Sequence, residues 1–378
     1  MTVNGSLPPS LQPLPSMLSC PDPLDPARIR HQVDAVLGAF IHHKKAAARE
    51  QGLPVEAPQA LDDFLAAGGK RLRPLLCVLG WHTTGSSSGG GLAQAVQVGA
   101  ALEMFHAFCL IHDDIMDHSD TRRGRPTVHR ALAARHRAGH DAVLAKDIGT
   151  SAAILAGDLA LLWSDELLRA PDTGLGPAQL EQVAPLIDLM RGEVLHGQYL
   201  DLISTGRPSP DTGPALAIIR YKTAKYTCER PLHIGAALAG ADARFLDALS
   251  AFALPLGEAF QLRDDLLGVF GHQAETGKPT FDDLREGKHT VLISFALKAA
   301  DDTQARLLRT LYGNARLDED DTDTVRAVLR ATGADQAVEH MITNRYEQAL
   351  AALEGLSLPR EVHHQLRSLA DKTVWRTS

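Results

Sequence analysis

"HAFCLIHDDIMDHSDTRRGRP", residues 106–126, runs from an apolar stretch straight into three aspartates and then into two adjacent arginines. Asp113 and Asp117 lie four positions apart, which on a helix stacks them on one face, about 6 Å from each other. Asp114 sits beside them. Like charges at that spacing destabilise a helix by roughly 0.2–0.5 kcal/mol, and a hard divalent cation reverses the sign. Magnesium favours carboxylate oxygens, keeps several waters and completes its shell with substrate phosphates. An acidic helix end is ordinarily a solvated surface. Here Phe105, Phe108, Cys109, Leu110 and Ile111 lead into it. A buried helix that carries acids at its end points to a metal.

Working outward, the same helical character fills the chain. Alanine and leucine carry an apolar content of 44%, and aromatics make up only 5%, a balance that favours helices over sheets. Residues 1–26 are rich in Pro and Ser and read as a disordered tail. From Pro26 onward the 3.6-residue apolar period recurs, and Val33, Val36, Leu37 and Phe40 fall on one face of the first helix. A Gly/Ser loop at 84–91 opens the long helix that ends at the aspartates. Further helices are predicted over roughly 142–170, 178–204, 214–239 and 244–270. A polar loop at 271–289 follows, then amphipathic helices to Trp375. No convincing strand appears. The expectation is an all-α fold with one large domain over 27–378, a helical bundle around a deep central cavity.

A second acidic stretch, EAFQLRDDLLG at 258–268, places Asp264 and Asp265 after another apolar helix. Two acidic helix ends about 150 residues apart suggest facing carboxylates with metals between them. Bases supply the complement. GGKRLRP at 68–74 sets Lys70 and Arg73 on a glycine turn before a helix, where backbone N–H groups and the helix dipole favour an anion. Arg122 and Arg123 follow the first aspartates, Lys222 and Lys225 sit on a helix, and Lys278 and Lys288 lie in the polar loop. Any one of these lysines alone would read as surface solubility. Their shared placement beside acids or glycines fits a diphosphate held by magnesium, a second anion held by bases, and a hydrocarbon tail in the apolar helices above.

Composition narrows the field further. A formal charge of −8 excludes a general nucleic-acid binder, which needs basic residues to neutralise phosphates. The four cysteines are scattered without a CxxC pair, so neither a zinc site nor a disulfide framework is expected. No uninterrupted run of 18 apolar residues predicts a membrane span, and no signal peptide is apparent. The expected location is the cytoplasm.

In order, GGKRLRP at 68, LIHDDIMDHSDTRRGRPTVH at 110, GD at 157, GQYLDL at 197, KTAKYT at 222, FQLRDDLLG at 260 and TGKPTFDDLREGKHT at 276 resemble the trans-isoprenyl diphosphate synthases of the polyprenyl synthetase family. The resemblance covers about residues 28–375. It implies the all-α isoprenoid synthase fold, a homodimer, and condensation of isopentenyl diphosphate with an allylic diphosphate using three magnesium ions, with manganese as a substitute. By motif, Asp113, Asp114, Asp117 and Asp264 would be the metal set, with Asp114 and Asp265 in supporting positions. Lys70, Arg73, His106 and Arg123 would hold isopentenyl diphosphate. Arg122, Lys222, Thr223, Gln261, Lys278 and Lys288 would meet the allylic diphosphate. Asp113, Asp117, Asp264, Lys222 and Arg122 would carry the catalysis.

Two positions depart from the family pattern: Gly268 stands where a third aspartate is common, and Phe281 where glycine is usual. The product tail would grow along the helix before Asp113, with Phe108 and Cys109 as the floor that limits chain length. The absence of an insertion within DDIMD fits a short-chain synthase. The expected product is C20 geranylgeranyl diphosphate, with C15 farnesyl diphosphate as the alternative and a non-catalytic regulatory subunit as the alternative of another class. A terpene cyclase is disfavoured because Gly268 and His272 stand where its second motif needs Ser/Thr and Glu. A head-to-head synthase would lack GGKRLRP.

Overall fold

The computed structural model describes residues 24–85, 91–170, 174–271 and 282–376. Most of the predicted N-terminal tail, the centre of the Gly/Ser loop, Lys278 and Phe281 therefore lie outside the described residues. Residues 24–26, assigned to the tail from the sequence, belong to the described structure. Leu24 is buried, and the Asp25 carboxylate accepts from the Ala27 N–H at 3.1 Å to cap α1, Pro26–Glu50. With Pro26 at the first helical position, the start of α1 combines two favourable signals.

Helices α2 (Glu56–Ala66) and α3 (Leu72–His82) precede α4 (Gly91–Met116). By length and composition α4 could cross a bilayer, but most of its apolar window is buried inside the protein. It is apolar on nearly every face, as expected of a core helix. Next come α5 (Val128–His136), α6 (Ala142–Arg169) and α7 (Pro177–Ser204). The predicted helix over 214–239 is three pieces: α8 (Gly213–Ile218), a π-helical segment (Ile219–Glu229) and α9 (Arg230–Leu238). The wider i→i+5 turn rotates side chains relative to an α-helix, a feature that tends to occur at functional sites. After α10 (Ala243–Phe270), the predicted polar loop contains a short helix, α11 (Asp282–Glu286). The chain closes with α12 (Val291–Ala299), α13 (Asp302–Leu311), α14 (Glu319–Ala331), α15 (Ala334–Glu354) and α16 (Arg360–Val374).

Among the described residues, the one departure from the all-helical expectation is a two-residue antiparallel ribbon, β1 (Thr121–Arg122) with β2 (Arg125–Pro126). A tight turn with left-handed Arg123 and Gly124 joins them. It is too short to show alternation in the sequence.

One hydrophobic cluster runs through the bundle, from Ile29 on α1 to Val374 on α16. Helix α4 packs against α6, α3 and α1, while α10 packs against α15 and the π-helical segment. Helix α7 also lies along the π segment, and Gly197 lets them touch: a Cβ there would come 2.5 Å from the Lys222 backbone nitrogen. This close approach brings the Lys222 side chain to the end of α4.

Candidate active site

The last turn of α4 presents Asp113 and Asp117, and each meets a lysine from a distant part of the chain. Lys222 of the π segment donates to Asp113 Oδ1 at 3.1 Å, and Lys288, just after α11, donates to Asp117 Oδ2 at 2.9 Å. The second oxygen of Asp113 lies 3.5 Å from Arg122. Burial alone would raise the Asp113 carboxyl, but Lys222, Lys288 and Arg122 outweigh it and hold the group well below the usual carboxylate range. It stays anionic at any physiological pH. Burial would likewise lower Lys222, yet Asp113 and Asp201 outweigh burial and raise it. Asp201 on α7 accepts from Lys222 at 2.6 Å.

Asp114 faces the other way. Its carboxylate is only 1% exposed, and Arg122 Nε reaches its two oxygens at 2.9 and 2.8 Å. Counted among the metal set from the sequence, Asp114 instead fixes the arginine that leans on Asp113. Asp264, the expected partner of Asp113 across the cavity, forms an ion pair with Arg376 near the end of the chain. Its neighbour Asp265 accepts from Gln261 at 2.8 Å, and Gln261 in turn accepts from Thr223 at 2.7 Å. Asp265, Gln261, Thr223, Lys222, Lys288 and Asp201 line one small cavity of about 80 Å³. Of the second acidic pair, the structure therefore brings Asp265 to the lysines and leaves Asp264 with Arg376.

The glycine turn before α3 is built around an arginine that the sequence reading passed over. Arg71, in the left-handed region at φ 48°, donates to Glu103 and Asp34 at 2.8 Å each and to the Leu65 carbonyl at 2.7 Å. Arg71 and Glu103 are both buried. This anchor holds Lys70 outward and Arg73 inward. Arg73 donates to Thr227 at 2.6 Å and stacks on the Tyr226 ring at 4.1 Å. Arg123 returns from the ribbon to the Gly68 carbonyl and lies against Gly69. His106 shares a hydrogen bond of 3.2 Å with the Tyr226 hydroxyl. Burial and then Arg73, Arg123 and Arg122 push its imidazole well below its ordinary value, so it is neutral. Partial burial and the Arg376 guanidinium lower Lys70.

Three neighbouring cavities share lining residues. A mouth of about 690 Å³ includes Met116, Asp117, Gln198, Asp201, Arg285 and Lys288. An inner space of about 200 Å³ is lined by Arg73, His106, Phe108, Cys109, Asp113, Val194, Lys222 and Tyr226. Met116 and Gln198 border both, and the small cavity around Asp265 shares Asp201 with the mouth and Lys222 with the inner space. The polar mouth thus adjoins a recess with Phe108, Leu110, Val194 and Leu195 in its wall. Burial pushes the Cys109 thiol up to about 12, so it remains a neutral, small wall.

Among the described residues, no group of three or more His, Cys, Asp or Glu side chains is preassembled to hold a metal. Asp113 and Asp117 are two hard carboxylates, one helical turn apart, and their partners Lys222, Arg122 and Lys288 are cations that a phosphate could recruit. That donor set fits magnesium bound by one or two carboxylates, with the remainder of its shell from water and substrate. Tyr226, Asp201 and Arg376 are further residues missed in the sequence. The first two lie inside motifs already noticed, KTAKYT and GQYLDL. Nothing local marks Arg376.

The family model described as polyprenyl synthetase matches residues 55–329. A geranylgeranyl diphosphate synthase of Sulfolobus acidocaldarius is 31% identical over 317 residues, spanning 83% of this chain and 88% of that one. A geranylfarnesyl diphosphate synthase of Aeropyrum pernix is 32% identical over 272 residues, 72% of this chain and 78% of its own. Among solved structures, a geranylgeranyl pyrophosphate synthase from Corynebacterium glutamicum, complexed with isoprenyl diphosphate and magnesium, superposes with a TM-score of 0.88. It is 40% identical, and the match covers 93% of this chain and 99% of that one.

Proposed function

Because the chain belongs to the polyprenyl synthetase family, we propose that it joins isopentenyl diphosphate to an allylic diphosphate and releases a trans-prenyl diphosphate, chiefly of C20 length. The observation that carries this reading is a mouth that carries both the carboxylates Asp117 and Asp201 and the cations Arg285 and Lys288, beside a largely apolar recess that shares Met116 and Gln198 with it and has Phe108 in its wall. One end suits diphosphate and the other suits a hydrocarbon of limited length.

Asp113 and Asp117 would hold magnesium, which supplies positive charge to the diphosphate oxygens. Lys222, Lys288 and Arg122 would give up part of their contact with the aspartates and turn to the allylic diphosphate. As the allylic C–O bond breaks, the electron pair leaves with the diphosphate, and preorganised cations stabilise that growing charge. Lys70, Arg73 and Arg123 would hold isopentenyl diphosphate, with neutral His106 as a hydrogen-bonding neighbour. Its double bond attacks the allylic cation to form the new C–C bond, and loss of a proton, taken up by the departing diphosphate, restores an alkene. No side-chain nucleophile takes part. The set of Asp113, Asp117, Lys222 and Lys288 supports an enzyme over a non-catalytic subunit.

Exposed apolar side chains on α6 (Leu144, Leu155, Leu162) and α7 (Leu189, Tyr199, Leu202) support a homodimer formed through these two helices. The test of the function is incubation of labelled isopentenyl diphosphate and magnesium with C5, C10 or C15 allylic partners, followed by chromatography of the dephosphorylated products. A C20 alcohol is expected. A C15 end point would shift the assignment to the farnesyl alternative, a free hydrocarbon would indicate cyclisation, and no turnover would overturn the enzyme reading.

A further inference from the structure

His112, the residue immediately before the first aspartate, is not explained by diphosphate or metal binding. Its imidazole packs on Phe108, one turn earlier on α4, with ring centroids 4.7 Å apart and an interplanar angle of 56°. On its other side the ring lies against α6 at Gly157, where a Cβ would overlap the imidazole. Its Nε2 is 3.2 Å from the Ile154 carbonyl and 3.5 Å from Asp158 Oδ1. Both partners are acceptors, which assigns the proton to Nε2. Glycine is unfavourable in a helix interior relative to alanine. At position 157 it makes the notch into which His112 keys.

Phe108 is therefore held between two rings. On its far side is Phe105, 5.4 Å away, itself in edge contact with Tyr226 at 6.0 Å. His112 and Phe108 both line the inner cavity. We propose that His112, seated in the Gly157 notch, is a specificity-determining residue that braces Phe108 and so sets the length at which prenyl extension stops. This rests on the reading of Phe108 as the floor of the recess. Without the imidazole, Phe108 can rotate into the vacated notch and the recess deepens. With a methyl at 157, the imidazole is pushed away from α6 toward Phe108 and the recess shortens.

The experiment is the product distribution, at saturating substrates, of the wild type, Phe108→Ala, His112→Ala, His112→Asn, Gly157→Ala and the Gly157→Ala/His112→Ala double variant. Thermal melts check that each variant folds. His112→Asn keeps a donor near Ile154 but lacks the stacking ring, so it reads the brace if the alanine variant is unstable. The expected result is a main product longer by one or more C5 units for Phe108→Ala, His112→Ala and His112→Asn. Gly157→Ala should give a shorter main product, an effect that disappears in the double variant because the methyl then fills empty space. Longer products from Phe108→Ala alone, with both His112 variants unchanged, would overturn the brace and leave the floor standing. Unchanged products from Phe108→Ala would overturn the floor itself. A His112 effect without a Phe108 effect would overturn the brace as stated, since it acts only through that ring.

Discussion

Asp113 shows how a single carboxylate can be legible in sequence while its circumstances are not. The DDIMD spacing and the apolar run before it mark it as a functional acid. That Lys222 arrives from more than 100 residues away is visible only in three dimensions. Removing Lys222 should therefore act on the chemistry. Lys222→Ala is expected to lower kcat by on the order of 10²–10³-fold, the usual scale for one preorganised charge at a reacting group, with a smaller change in the KM for isopentenyl diphosphate. Steady-state kinetics with a fixed allylic partner measures both. Arg71 is the opposite case, a residue that touches no expected ligand yet fixes the turn that carries Lys70. Arg71→Ala leaves Glu103 buried without its 2.8 Å partner and is expected to destabilise the fold by about 3–5 kcal/mol. Denaturant titration would show it, and an unchanged midpoint would contradict the role. Asp201 and Tyr226 sat inside motifs noticed for their neighbours, and their own contacts, to Lys222 and His106, show only in three dimensions, while Arg376 carries no spacing signal at all.

At the level of elements, long helices announced themselves and short irregular pieces did not. Helices α4, α6, α7 and α10 fall within a few residues of their predicted bounds because each is a long apolar-rich run bounded by loop residues. The β1–β2 ribbon is too short for a period, and the π segment differs from an α-helix by one hydrogen-bond step that no composition encodes. The ribbon leads directly into α5, whose His129 is buried beside Thr127. Burial and then Arg130 lower its imidazole to about 4. An unfolded chain protonates the same histidine near pH 6.5, so the unfolded state binds more protons between the two values. Stability from this residue is full above about pH 6.5 and falls as pH drops toward 4. Denaturation midpoints taken from pH 7 to pH 4.5 should decline, and His129→Gln should flatten that decline. An identical slope in the variant would contradict the assignment.

For the whole molecule, the all-α bundle with its acids at the helix ends was readable from the sequence, because apolar period and charge placement survive without coordinates. The packing that joins the two halves of the site was not, since it depends on close approaches such as Gly197 against the π segment. The exposed apolar faces of α6 and α7 carry a consequence at this scale. If the proposed homodimer forms through them, Leu155→Glu with Leu162→Glu is expected to give a monomer in size-exclusion chromatography with light scattering, while a wild type that already runs as a monomer would contradict the proposed interface. The central claim is that Asp113 and Asp117 bind the allylic diphosphate through magnesium while lysines and arginines share its charge. Calorimetric titration with farnesyl thiodiphosphate, an analogue slow to ionise, tests it most directly. Tight binding is predicted with magnesium, and a loss of 10-fold or more is predicted both with a chelator present and in Asp113→Asn. Equal affinity with and without the cation would contradict the account.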